Sequence, residues 1–93
     1  MLHTISTHHS ANIDTTLIST QDAVLFWQNG VMIACQNNPL LNDILQKTTH
    51  CYVLDNDIIA RGISQFIDVR LEIITMQQVV ELTAKYYPQI NWE

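Results

Sequence analysis

Glycine, proline and cysteine are nearly missing from this 93-residue sequence, which holds two of each. With Gly30 and Gly62 as the only glycines, neither a G-x-G-x-x-G fingerprint nor a P-loop can be assembled, so nucleotide binding by those routes is excluded. Cys35 and Cys51 lack C-x-x-C spacing and sit among apolar neighbours, which indicates neither a disulfide framework nor a zinc knuckle. Basic side chains are scarce too: four Lys plus Arg against nine Asp plus Glu leave a formal charge of -5. That balance offers no footprint for a phosphate backbone, and direct nucleic-acid binding is not expected. No apolar run approaches the roughly 20 residues that span a bilayer, and the first residues carry no basic segment followed by a long apolar core. The expectation is a cytoplasmic protein without membrane contact.

What remains is apolar and amide-rich. Hydrophobic residues make up 47% of the chain and charged residues only 14%, against about 25% charged in an average globular domain. Two readings stay open: other subunits cover part of the surface, or a small monomer is kept in solution by its many Asn, Gln and Thr side chains. The length allows one domain, residues 1–93, with a single core.

Read in order, Met1 to Ser6 is a short first strand with Leu2 and Ile5. Ser10 is placed to cap a short helix whose Ile13, Leu17 and Ile18 fall on one side. Ala23 to Trp27 is continuously apolar, as a strand covered on both faces reads, and Gln28-Asn29-Gly30 turns it into a short helix over Val31 to Gln36. Asn38-Pro39 starts another helix, with Leu40, Leu41, Ile44 and Leu45 as its stripe and Lys47 at its end. Cys51 to Leu54 is the third strand, followed by a capped helix ending on Gly62. Val69 to Ile74 is the fourth, an edge strand with Val69, Leu71 and Ile73 on one face. Thr75 and Gln78 have capping-box spacing, and Met76, Val79, Val80, Thr83 and Tyr87 form the next helical face before Pro88. In the tail, Ile90 and Trp92 are too apolar to be left in water and are expected to dock on this subunit or a neighbour. The order β-α-β-α-α-β-α-β-α predicts an α/β fold: a small, open, parallel, flavodoxin-like sheet of about four strands with helices on both faces.

In such sheets the loops at the carboxyl ends of strands form the functional edge, which singles out Asp55, Asn56 and Asp57. Two strand-end aspartates could bind magnesium, but Asp22 precedes its strand and no lysine completes such a set, so helix capping is the favoured role. His8 and His9, with His3 nearby, have no carboxylate or cysteine at ligand spacing and read as a solvated loop. Cys35 has no neighbouring cation to lower its pKa, and Cys51 follows His50 on a strand, where adjacent side chains point to opposite faces. Ser and Thr are abundant but lack any nucleophile-elbow context.

Met1 to Ser6, Gln28-Asn29-Gly30-Val31, the Leu54 to Gly62 segment with its Ala60-Arg61-Gly62, and Trp92 together resemble the TusB/DsrH-like family of sulfur-relay subunits over nearly the whole chain. The resemblance implies a DsrEFH-like fold. It also implies a cytoplasmic heterohexamer containing homologous TusC/DsrF-like and TusD/DsrE-like subunits and meeting sulfur-carrier proteins. In the tRNA-thiolation branch such a complex passes persulfide sulfur toward 2-thiouridine at the wobble position. The persulfide cysteine of the family lies on the TusD/DsrE-like subunit. This chain has no cysteine in the corresponding loop, so a structural, non-catalytic subunit without a cofactor or metal is expected. The alternatives are a DsrH-like subunit in dissimilatory sulfur oxidation and a stand-alone thiol-active domain using Cys35 or Cys51. Within this reading Asp55, Asn56 and Asp57 turn and cap the chain, and Gly62 stops the helix. Arg61 reaches across a subunit boundary, and Trp92 joins these residues as an interface candidate.

Overall fold

Five parallel strands form the sheet in a computed structural model that describes residues 1–93. They are β1 (Leu2–Ile5), β2 (Ala23–Phe26), β3 (Cys51–Leu54), β4 (Glu72–Ile74) and β5 (Gln89–Trp92), arranged β4-β3-β2-β1-β5. The helices are α1 (Pro39–Lys47), α2 (Asp55–Ala60) and α3 (Met76–Lys85). The fifth strand corrects the expected count of four. Its residues are the apolar tail, which docks on its own sheet: Leu2 donates to the Pro88 carbonyl and Ser6 to that of Trp92, so β1 becomes an interior strand.

Two apolar layers follow from the pleat. Ile5, Val24, Phe26, Cys51 and Val53 point to one face and pack under the connections from β1 to β4, through Ile13, Ile18, Val31, Leu41, Ile44, Ile58 and Ile67. Leu2, Ala23, Leu25, Leu54 and Ile74 point to the other, where α3 alone supplies Val79 and Leu82. Strands β1 and β2 are buried along their whole length, as the unbroken run from Ala23 predicts.

Helix starts were well marked in the sequence. Asn38 caps α1 by accepting from the N–H groups of Leu40 and Leu41, and Pro39 takes the first helical position. Thr75 and Gln78 close a full capping box on α3. At the end of α2 the Gly62 N–H reaches the Ile59 carbonyl and the Ile63 N–H reaches that of Ile58, a Schellman closure with Gly62 at φ 64°.

Faces were read less well. On α3 the predicted stripe holds only at Val79, which is buried together with Leu82, whereas Met76, Val80 (63% exposed) and Tyr87 (75%) face water. Both stripes satisfy the helical period, and the one chosen is the one that meets Leu25, Leu54 and Ile74. Strand β4 is shorter than Val69 to Ile74, because the Asp68 carboxylate accepts the Arg70 N–H and its guanidinium and so holds residues 68–70 in a turn. Val69 is consequently 91% exposed, while Leu71 is buried. The expected helix over residues 31–36 is a 3-10 turn at Gln28–Met32. Beyond it the backbone finds partners in the next connection, Gln36 donating to Phe66 and Asp68 to Ala34. The helix expected after Ser10 is two 3-10 turns, Ser10–Asn12 and Thr15–Leu17, capped at the second by Asp14 and burying Ile13 and Ile18 but not Leu17.

The orientation of α3 is directly testable. Leu82→Ala removes buried contacts and is expected to lower the unfolding free energy by about 2–3 kcal/mol, whereas Val80→Ala should change it by less than about 0.5 kcal/mol. Urea denaturation of both variants checks this, and equal losses would reverse the assignment.

Candidate functional site

The carboxyl ends of β2 and β3 meet in one polar cluster. Gln28, two residues past the end of β2, adopts φ 53°, which a glutamine rarely does, and its N–H donates to Asp57 Oδ2 at 2.6 Å. The neighbouring Asn29 accepts from Arg61 Nη2 at 2.8 Å through its side-chain oxygen. Arg61 Nη1 lies 3.5 Å from the Asp57 carbonyl, so the guanidinium ties the end of α2 to the loop after β2. Asp55 turns back onto the Asn56 N–H at 2.6 Å.

The aspartates therefore do not cap α2 in the predicted manner. Leu54 is its N-cap, with no side-chain cap, and both acids lie within the first turn, where the helix dipole still favours negative charge. Asp57 spends its oxygen on the neighbouring loop because that loop carries a left-handed residue whose N–H would otherwise need water. Asn56 and Arg61 are exposed, and Asp55 and Asp57 half-exposed.

Gly30 sets the geometry of this edge. A Cβ built on it would lie 1.9 Å from the carbonyl oxygen of Ile5, the last residue of β1. That carbonyl already accepts the Trp27 N–H at 3.1 Å. The loop after β2 thus closes against the backbone of β1, and only glycine permits the approach.

Trp92 belongs to a different constellation, on the far side of β1. Its indole Nε1 donates to His3 Nδ1 at 3.1 Å, and His3 Nε2 lies 2.8 Å from Asp22 Oδ2. Asp22 also accepts from the Ser19 N–H and is 3.3 Å from the Met1 amino group. Burial pushes the Asp22 carboxyl up, but the hydrogen bonds from Ser19, His3 and the amino group outweigh it and hold the pKa well below the ordinary carboxylate value. Sequence reading named His3 only as a possible companion of His8 and His9 and noted Asp22 only as preceding its strand. The signal that could have joined them is a histidine in an otherwise apolar, fully buried strand, which must find partners.

The two thiols stand apart from both constellations. Cys51 is at the amino end of β3, with Sγ 3.4 Å from the Thr48 carbonyl, and burial pushes its pKa up to about 12. Cys35 is half-buried in a bridge to Ile67, and burial raises its pKa as well. Neither has a cation at hand to hold a thiolate. The rings of His8 and His9 lie 4.1 Å apart on the surface, and no three His, Cys, Asp or Glu side chains gather as metal ligands. The largest cavity, about 380 Å³, is bordered by His8, Ser10, Asn38 and Asp43, but Asn38 already occupies the first free amides of α1. No helix is long and apolar enough to cross a membrane.

The model of the family described as DsrH like protein matches residues 6–89. The chain belongs to the DsrH-like family. It is 35% identical over 96 residues to Protein TusB of Yersinia enterocolitica, covering 99% of this chain and all of that one. It is 36% identical over 76 residues to Protein TusB of Buchnera aphidicola, covering 82% and 80% of the two chains. Among solved structures, a protein of unknown function from Methanobacterium thermoautotrophicum superposes with a TM-score of 0.74 at 12% identity, covering 97% of this chain and 96% of that one. That likeness concerns the fold alone. For this DsrH-like chain the open parallel sheet expected from the sequence is thus the observed one.

Two outcomes follow from the geometry. Gly30→Ala should cost about 3 kcal/mol or more, because a backbone carbonyl cannot step aside as a side chain can, measured as a lowered urea midpoint at unchanged slope. Asp22, with its folded pKa depressed, contributes stability that is present above its unfolded value near 3.8 and is lost as pH falls below it. Asp22→Asn should therefore flatten the decline of stability between about pH 4 and 2, followed by chemical denaturation at each pH, and an unchanged slope would assign the decline elsewhere.

Proposed function

We propose that this chain is the non-catalytic subunit of a cytoplasmic sulfur-relay complex. In this reading it assembles with homologous TusC/DsrF-like and TusD/DsrE-like subunits, two copies of each, and helps pass persulfide sulfur toward 2-thiouridine formation at the tRNA wobble position. The observation that carries the reading is the end-to-end match to TusB proteins. The chemistry agrees with it: relaying sulfur needs an accessible thiolate, and burial raises the pKa of both cysteines of this chain, which disfavours that form. Sulfur is then carried by a partner, and this chain contributes surface.

Asp55, Asn56, Asp57 and Arg61 are the proposed contact edge. Asp57 and Arg61 are already tied to Gln28 and Asn29, so little of their side-chain freedom is lost when a partner covers them. The remaining guanidinium donors of Arg61 can pair with a carboxylate or carbonyl across the boundary. Trp92 lies at the same end of the sheet, at the carboxyl end of β5 next to Ile5 of β1.

Co-expression with the two homologous subunits should yield one co-purifying assembly on size exclusion, and a chain that stays monomeric beside them ends the proposal. Arg61→Ala is expected to weaken assembly about tenfold, or roughly 1.4 kcal/mol, while the melting temperature of the isolated chain stays within about 2 °C. Persulfide labelling of the isolated chain separates this role from a thiol activity of its own: no label is expected on Cys35 or Cys51, and a label lost on replacing either by serine would assign the sulfur to this subunit.

A further inference from the structure

His3 is fully buried in β1, and both of its ring nitrogens are engaged. The indole N–H of Trp92 can only donate, so His3 Nδ1 must carry a lone pair. The one proton of the neutral ring is then on Nε2, directed at Asp22. This tautomer is assigned from the partners. The two rings lie within 18° of parallel with centroids 6.2 Å apart, and the 3.1 Å between Trp92 Nε1 and His3 Nδ1 leaves no room for a second hydrogen between those nitrogens.

We propose that His3 is a proton-operated latch on the edge strand β5, and that its protonation releases Trp92 and the carboxyl end of β5 from β1. The added proton can go only to Nδ1, because Nε2 already bears one. Two N–H groups would then face each other across 3.1 Å, and the indole must leave. It is the half-buried partner at the end of a strand, so swinging into water costs less than moving His3 within the sheet. Strand β5 is paired on one side only, Gln89 and Asn91 are exposed, and Ile90 is half-buried. Without the indole, its carboxyl end is held by the Thr4 to Asn91 side-chain hydrogen bond and by the Ser6 N–H and hydroxyl, which both donate to the Trp92 carbonyl.

The charged groups facing the ring are Asp22, 2.8 Å from Nε2, and the Met1 amino group, 3.3 Å from the same carboxylate. No lysine or arginine contacts the ring. Release uncovers the unpaired backbone of β1 at Thr4 to Ser6, an edge able to accept another strand.

Amide exchange of the full-length protein by NMR tests the latch. Between about pH 7.5 and 5.5, the range in which histidines change charge, the protection factor of the Ser6 amide should fall at least about tenfold. Val24 in the sheet interior should hold its protection, and the Trp92 indole resonance, assigned through Trp92→Phe, should move to a solvent-exposed position. A variant with His8, His9 and His50 all changed to Gln should keep the response. In Trp92→Phe, where no N–H opposes the proton, Ser6 protection should not vary with pH. Constant Ser6 protection in the unaltered protein, or loss of the response in the triple-histidine variant, overturns the proposal. Should Trp92→Phe fail to fold, those two measurements still decide.

Discussion

A strand that feeds a crossover to a parallel neighbour does so almost always with right-handed sense, and this constraint organises the molecule. Travel from β1 through β2 and β3 to β4 proceeds in one direction, so all three connections lie over the same face, where α1, α2 and the 3-10 turns bury the larger apolar cluster. The chain then returns across the whole sheet to reach β5, and its connection, α3, must take the opposite face. One face is thickly covered and the other has a single helix. The same arrangement sends every strand's carboxyl end to one edge, which is why the loops after β2 and β3 can meet.

Burying β1 on both faces and both edges has a further consequence, because the strand carries His3 and Thr4 among Leu2 and Ile5. Each polar group in such a place needs a partner or costs about 1–3 kcal/mol. His3 finds Asp22 and Trp92, and Thr4 finds Asn91. Two of these three partnerships come from β5, so the tail is part of the polar solution of the interior as well as a cover for the edge. At the carboxyl ends of β2 and β3 the same logic applies on the surface: the unusual backbone of Gln28 is stabilised by Asp57, and Arg61 joins Asn29 to α2.

Local chemistry was legible wherever one or two neighbouring residues settle the outcome. Asn38-Pro39, the Thr75 and Gln78 box and the Gly62 stop are of this kind, because capping is decided within one turn of chain. The placement of Cys51 as a packing residue was equally readable, since the alternation of a strand separates it from His50. Facing was not. Val80 and Leu82 differ little as apolar helical residues, and their roles were exchanged because the sheet surface under α3 fixes the rotation of the helix. Val69 was counted into a strand because its neighbours alternate, yet the Asp68 to Arg70 contact bends that stretch away.

The sequence by itself determined the parallel α/β class, the order of the first four strands, the helices α1, α2 and α3 between and after them, the position of the polar strand ends and the family. Each of these rests on patterns a few residues long or on resemblance along the chain. Only the tertiary structure decided that the tail is a fifth strand beside β1, that Asp57 serves Gln28 rather than its own helix, and that Gly30 must be glycine because Ile5 is there. It also decided that His3, Asp22 and Trp92, far apart along the chain, are joined through the His3 ring. These are contacts between residues 19 to 89 positions apart, and their geometry depends on how the sheet is ordered, which no local pattern encodes.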